Sequence, residues 1–205
     1  MNAITLLPQL ERALFAEPVN DIKSGHSDLD MQARPPHLLV QAAVLIPIIN
    51  RATGPTILLT RRTASLRHHA GQISFPGGRV DATDRDAVHT ALREAQEEIG
   101  LPPDSVKVCG FLAPYITGTG YCVTPIVGWI DKLAPLTPSL KEVDHVFEMP
   151  LSYIMDPLNR QTRSAMWYGR LRTFYVYDFK HKYIWGATAG MLAMFADRLM
   201  GAKIS

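Results

Sequence analysis

Residues 77–101, GGRVDATDRDAVHTALREAQEEIGL, run from a glycine pair into a helix whose last turns are crowded with negative charge. The spacing predicts a helix from about Arg85 to Ile99, with Glu94, Glu97 and Glu98 at i, i+3 and i+4 projecting from one side. Val88, Leu92, Ala95 and Ile99 form a narrow apolar stripe on the other. Gly100 stands where a left-handed C-terminal cap belongs, and Thr83 with Asp86 reads as a capping box at the start. Such a helix is unfavourable on its own. Like charges one turn apart cost about 0.2–0.5 kcal/mol per pair, and anions near a helix C-terminus are repelled by the macrodipole. Two readings follow: a solvated acidic face, or a cluster that holds a cation.

The flanking sequence supplies strands. LLVQAAVLIPII (38–49) and TILLT (56–60) are apolar, β-branched runs joined by NRATGP, which predicts a hairpin. GQISFPGG gives a short strand ending in the glycine turn. KVCGFLAPYIT, YCVTPIVGWI, EVDHVFEMPL and RTFYVYDF are further strand candidates, and GATAGMLAMFADRLMG (186–201) has helical spacing. Strands fall before and after helices without regular alternation, so a mixed sheet with helices packed on it is expected rather than a doubly wound parallel fold. MNAITLLPQLERALFAEP reads as a short amphipathic helix, and the polar stretch 19–37 as a linker or surface arm.

A length of 205 residues with 47% hydrophobic content fits a single domain core. The net charge of +2 is too mild, and too evenly spread, to predict nucleic-acid binding. Cys109 and Cys122 are too few for a disulfide framework and suggest a reducing compartment. The N-terminal stretch lacks the charge and apolar pattern of a secretory signal, and no apolar run approaches the ~20 residues that cross a bilayer. A cytoplasmic protein is expected.

Read with its flanks, the opening stretch resembles the Nudix box, the strand–loop–helix signature of hydrolases that cleave nucleoside diphosphates linked to another group. REAQEEIGL (93–101) matches the pattern REUxEExGU, where U is aliphatic or, here, Ala95. The spacing departs upstream: five residues after Gly78 comes Asp84, then eight more before Arg93, so Asp84 is the candidate for the position usually held by glutamate. LLTRRTASLRHHAGQISFPGG (58–78) is similar to the additional motif of the coenzyme A pyrophosphatase branch, with fixed points at Arg67, Gly71, Phe75, Pro76, Gly77 and Gly78. The resemblance implies a Nudix α/β/α sandwich with a mixed β-sheet over residues 38–205, with residues 1–37 as an N-terminal helix and arm packed on it. It also implies hydrolysis of the diphosphate of coenzyme A, its thioesters or oxidised forms, to 3′,5′-ADP and 4′-phosphopantetheine. The alternatives are a broader Nudix hydrolase of ADP-ribose, dinucleotides or capped RNA, and a catalytically silent nucleotide-binding module.

A diphosphate repels hydroxide, and its hydrolysis calls for a divalent cation, for which clustered carboxylates supply hard oxygen ligands. Glu94 and Glu98 are expected to bind Mg²⁺ or Mn²⁺ directly, with Glu97 serving a second ion. Arg93 is expected to orient Glu94 by an ion pair. Glu142, opening the EVDHVFEMPL strand, is the candidate general base or additional ligand. Gly77 and Gly78 allow close backbone approach to metal or phosphate. Arg61, Arg62 and Arg67, in a basic stretch that includes His68 and His69, suit the 3′-phosphate and the diphosphate of coenzyme A, with Arg67, at a fixed position of the motif, as the leading candidate. The His pair has no third ligand at zinc spacing, and DATDRD lacks the EF-hand pattern. Trp185, Tyr175, Tyr177 and Tyr183 could stack on adenine or belong to the core. A homodimer is compatible with the sequence but nothing in it requires one.

Overall fold

The computed structural model describes residues 3–19, 38–65, 69–167 and 169–201. The proposed arm, beyond Val19, and Arg67 lie outside the described residues. The expected N-terminal helix is α1 (Ala3–Ala13), which buries Leu6, Leu10 and Ala13. Arg198 closes its C-terminal end, donating from Nε to the Ala13 carbonyl at 2.5 Å and stacking over Phe15.

The main sheet is built around β1 (Val40–Ile49), which runs parallel to β7 (Tyr121–Ile130) from Val40↔Tyr121 to Ile49↔Ile130. Its other edge is forked. β2 (Thr56–Arg62) pairs antiparallel with β1 only at Ile48↔Ile57 and Ile49↔Thr56, so the predicted hairpin exists at its closed end alone. Residues 73–79 fill the fork. β3 (Ile73–Ser74) continues along β2, and β4 (Gly77–Arg79) pairs with β1 at Ala42, Ala43 and Val44. Pro47 is tolerated in this central strand for the same reason. The Leu45 N–H points into the fork, to Pro76 O at 2.9 Å, and two residues on, Pro47 faces the same way, between the β4 and β2 pairings, where no donor is needed. β5 (Lys107–Phe111) and β6 (Tyr115–Ile116) pair with β7, and β8 (Val143–Pro150) pairs with β2.

Both faces of β1 are covered, which explains its unbroken apolar run. Ala43, Leu45 and Ile49 face α2 (Ala87–Ile99), while Ala42, Ile46 and Ile48 face the layer formed by α1 and α4 (Gly186–Gly201). The result is the α/β/α sandwich with a mixed sheet. A second sheet, antiparallel in the order β11 (Lys182–Trp185), β10 (Arg170–Phe179), β9 (Gln161–Trp167), packs against α4, and β11 abuts β3. α4 is apolar nearly all round because it lies between this sheet and the rest of the core. Tyr177 is fully buried, which removes it from the stacking candidates. The helix α3 (Leu151–Met155) and the strands β9 and β11 carry no sequence signal that had marked them.

Two local expectations for α2 are corrected. Asp86 alone is the N-cap, its Oδ1 accepting the His89 N–H at 2.7 Å, whereas the Thr83 hydroxyl donates to Asp81. The buried stripe is Ala91, Ala95 and Ile99, with Val88 and Leu92 only half-buried at its flank. Gly100 caps the C-terminus as expected, at φ 70° with its N–H on Gln96 O.

Candidate active site

The fork in the sheet delivers Gly77 and Gly78 to the last turns of α2. The Gly77 N–H donates to Glu98 Oε2 at 3.2 Å. A Cβ on Gly77 would strike the Val44 backbone, and its φ of 154° is one that other residues rarely adopt. A Cβ on Gly78 would lie 2.5 Å from both oxygens of Glu94. Glycine at 77 is therefore demanded by the β1 backbone and by its own φ, and glycine at 78 by the close approach of the Glu94 carboxylate.

Glu98 is 2% exposed. Burial pushes its carboxyl up to about 7, against the opposing pull of Arg62 and of the Gly77 N–H; the fields of Glu94 and Glu142 raise it further. Arg62 reaches Glu98 Oε1 only at 3.4 Å, a long contact for an ion pair. Glu94 is also raised, first by burial and then by Glu97 and Glu142, while its bond from Arg93 lowers it. Glu142 lines the same cavity. It is anchored through its carbonyl, which accepts the Thr63 N–H at 2.9 Å just beyond the end of β2.

Arg93 orients this group. Its Nε and Nη2 bind the two oxygens of Asp84 at 2.9 Å each, and its Nη1 binds Glu94 Oε1 at 2.9 Å and Glu97 Oε2 at 3.1 Å. Asp84 has no exposed side-chain surface and accepts additionally from Thr90 Oγ1 and the Asp81 N–H. Arg93 holds its carboxyl well below the usual carboxylate range. The residue at the displaced position of the motif thus anchors Arg93 and does not itself line the cavity.

Two expected site residues are placed differently. Glu97 lies on the outer flank of Glu94: its side chain is 60% exposed and does not line the cavity, because residue 97 falls about 60° to one side of 94 around the helix and residue 98 about 40° to the other. Arg61 turns away and pairs with Asp144 on β8 through Nε at 2.7 Å. A register shift between Arg61 and Arg62 accompanies this divergence. Arg67 lies outside the described residues. Two guanidiniums went unremarked in the sequence: Arg79, donating to the Tyr121 hydroxyl at 2.6 and 3.0 Å, and Arg172 on β10. The alternation of Arg172 with Phe174 along a predicted strand is the signal that could have marked the latter.

These residues line one cavity of about 920 Å³, together with Glu94, Glu98 and Glu142 and with Phe174 and Trp185 of the second sheet. Among the described residues no three carboxylate, imidazole or thiol groups are gathered into a metal-binding set by themselves. The donor chemistry nonetheless fits a hard divalent cation: two carboxylates with raised affinity for protons, pressed against a glycine backbone that leaves no room for a Cβ.

The model of the NUDIX domain matches residues 39–170. The chain belongs to the Nudix family. It is 44% identical over 171 residues to a protein of Pectobacterium atrosepticum named uncharacterized Nudix hydrolase NudL, covering 80% of this chain and 84% of that one. A protein of the same name from Citrobacter koseri is 45% identical over 161 residues, covering 76% and 81%. Among solved structures, a MutT protein from Methanosarcina mazei aligns at a TM-score of 0.45 and 19% identity over 80% of this chain and 93% of that one. An Ap4A hydrolase from C. elegans aligns at 0.45 and 21% over 54% and 80%. No described helix is long and apolar enough to cross a membrane.

Proposed function

We propose that this Nudix protein hydrolyses the diphosphate linkage of coenzyme A or its derivatives, yielding 3′,5′-ADP and 4′-phosphopantetheine. The observation that carries the catalytic reading is the buried Glu98 carboxylate, held by the Gly77 N–H beside Glu94 at one end of a large cavity. Keeping two carboxylates in one poorly solvated region, with the exposed Glu142 near enough to act on both, costs stability, and a silent binding module has no use for that cost.

Glu94 and Glu98 would hold Mg²⁺ or Mn²⁺, which supplies charge neutralisation on the diphosphate and acidifies the attacking water. Arg93 keeps Glu94 turned toward the Gly78 backbone. Glu142 lines the cavity and is exposed, suited to take a proton from water. Arg62, together with Arg67 in the preceding motif, supplies positive charge for the diphosphate. The coenzyme A assignment rests on the resemblance of residues 58–78, and a cavity of about 920 Å³ is compatible with it.

The deciding assay offers coenzyme A, ADP-ribose, NADH and dinucleotide polyphosphates with Mg²⁺ and with Mn²⁺ to the wild type and to Glu98→Gln. Coenzyme A should be the preferred substrate, and the variant should lose about three orders of magnitude in kcat while remaining folded, each tenfold corresponding to about 1.36 kcal/mol. Preference for another member of the panel would replace the substrate assignment, and a wild type inert toward all of them would favour a binding module.

A further inference from the structure

The cavity is lined by three described arginines, and two of them have partners there. Arg62 faces Glu98 through Nη1, although its own Nε is buried and unpaired, and Arg79 donates to Tyr121 and lies over its ring. Arg172 has neither an ion pair nor a hydrogen bond among the described residues, and its Nε is buried. A guanidinium cannot shed its proton to relieve this, so a desolvated, unpaired Nε–H is a standing cost unless a ligand completes it.

Its surroundings narrow the ligand. Arg172 comes from β10 of the second sheet, whereas the carboxylates come from α2, and among the described residues no hydrogen bond or ion pair joins it to Glu94 or Glu98. Phe174, two residues on, projects from the same face of the strand and packs against Trp185 with ring centroids 6.0 Å apart. Ala165, the cross-strand neighbour of Arg172, adds only a methyl group to the lining beside it. All four residues line the cavity. An unpaired cation beside a tilted aromatic pair suits a nucleoside bearing a phosphate monoester: the fork of Arg172 takes the phosphate, and the rings take the base.

We propose that Arg172 is the residue that recognises the 3′-phosphate of the nucleotide half of the substrate, with Phe174 and Trp185 forming the wall for its base. This rests on the coenzyme A reading for the substrate but assigns a separate subsite. The scissile diphosphate must lie at Glu94 and Glu98, so a second anion, apart from it, is what an unpaired arginine on the other sheet would bind.

The test compares coenzyme A with 3′-dephospho-coenzyme A for the wild type, Arg172→Ala and Arg172→Lys. The wild type should favour the phosphorylated substrate, and Arg172→Ala should reduce the ratio of the two kcat/KM values by about 10- to 150-fold, the loss of one charge-assisted bond. Arg172→Lys should retain part of the preference, because it keeps the charge and loses the fork. An unchanged ratio, whether both activities fall together or neither moves, would overturn the assignment. Calorimetric binding of 3′,5′-ADP and 5′-AMP makes the same comparison without turnover. The wild type should bind 3′,5′-ADP more tightly, and Arg172→Ala should narrow the gap; equal affinities in the wild type would refute the subsite. If the wild type hydrolyses neither coenzyme yet shows that binding preference, the proposed reaction fails and the phosphate subsite stands.

Discussion

Glu98 and Gly77 meet where helix and sheet join: the Gly77 N–H donates 3.2 Å to Glu98 Oε2, the one backbone bond that a carboxylate with 2% exposure receives. One such bond and a 3.4 Å approach by Arg62 do not compensate for burial, and the carboxyl is pushed up to about 7. The pairing of a strand glycine with a helix glutamate therefore creates a group poised between protonated and ionised at neutral pH.

This has a consequence for the metal-free protein. In the unfolded chain Glu98 titrates near its ordinary value of 4.5, and in the folded chain near 7, so between those values the folded state binds the extra proton. Stability is then greatest at low pH in this window and is lost as pH rises through 7, by up to about 3 kcal/mol. Melting temperatures recorded from pH 5 to 8.5 in chelator should fall for the wild type and stay flatter for Glu98→Gln. Parallel curves for the two proteins would contradict the buried, proton-binding state.

A divalent cation should reverse that penalty. Binding to the folded state alone raises stability by mass action, about 2.7 kcal/mol at a hundredfold excess over Kd. Millimolar Mg²⁺ or Mn²⁺ should raise the melting temperature of the wild type, more at pH 8 than at pH 6, since ions and protons compete for Glu98. Glu94→Gln and Glu98→Gln should each blunt the rise, while Glu97→Gln, on an exposed side chain held by Arg93, should alter it much less. A Glu97→Gln effect as large as that of Glu98→Gln would restore Glu97 to the metal site.

Much of this arrangement was legible in the sequence because it depends on short-range periodicity. The helix α2, its Gly100 cap and seven of the strand segments follow from residue spacing alone. What escaped depends on direction in three dimensions. A three-residue step and a four-residue step both count as the same face on a helical wheel, yet they fall on opposite sides of Glu94, so Glu98 enters the core and Glu97 remains in solvent. Arg61 and Arg62 are adjacent, and a register shift against β8 decides that one meets Asp144 and the other Glu98. Asp84 reads in the sequence as a candidate for a displaced glutamate position, because sequence shows which charges are near in the chain and not that Arg93 would occupy both of its oxygens.

The two glycines of the turn should separate folding from catalysis. Gly78→Ala introduces a Cβ against the Glu94 carboxylate, a side chain that can shift, at a position whose backbone conformation alanine accepts. Turnover should fall about 100-fold, the usual cost of moving a reacting group by roughly 1 Å, with only a small change in melting temperature. Gly77→Ala meets the backbone of Ala43 and Val44 at a φ of 154° and should destabilise the whole protein. Equal melting temperatures for the two variants would show that the fork in the sheet can open to admit the Cβ.

Arg93 and Asp84 should behave as a unit in stability but not in activity. Arg93→Met leaves the Asp84 carboxylate without the partner that keeps it ionised in a position with no side-chain exposure, so the urea midpoint should drop. Adding Asp84→Asn removes the stranded charge and should recover part of that loss, because Thr90 Oγ1 and the Asp81 N–H still find an acceptor in the amide oxygen. Activity should not recover. Glu94 remains without the Nη1 contact that orients it, so both the single and the double variant should show kcat reduced about 10- to 100-fold, with KM moved much less because Arg93 does not line the cavity. Unfolding and steady-state kinetics on the same three proteins make the comparison. Strictly additive stability losses would break the link between the two residues, and a double variant as active as the wild type would mean that Glu94 needs no orienting partner.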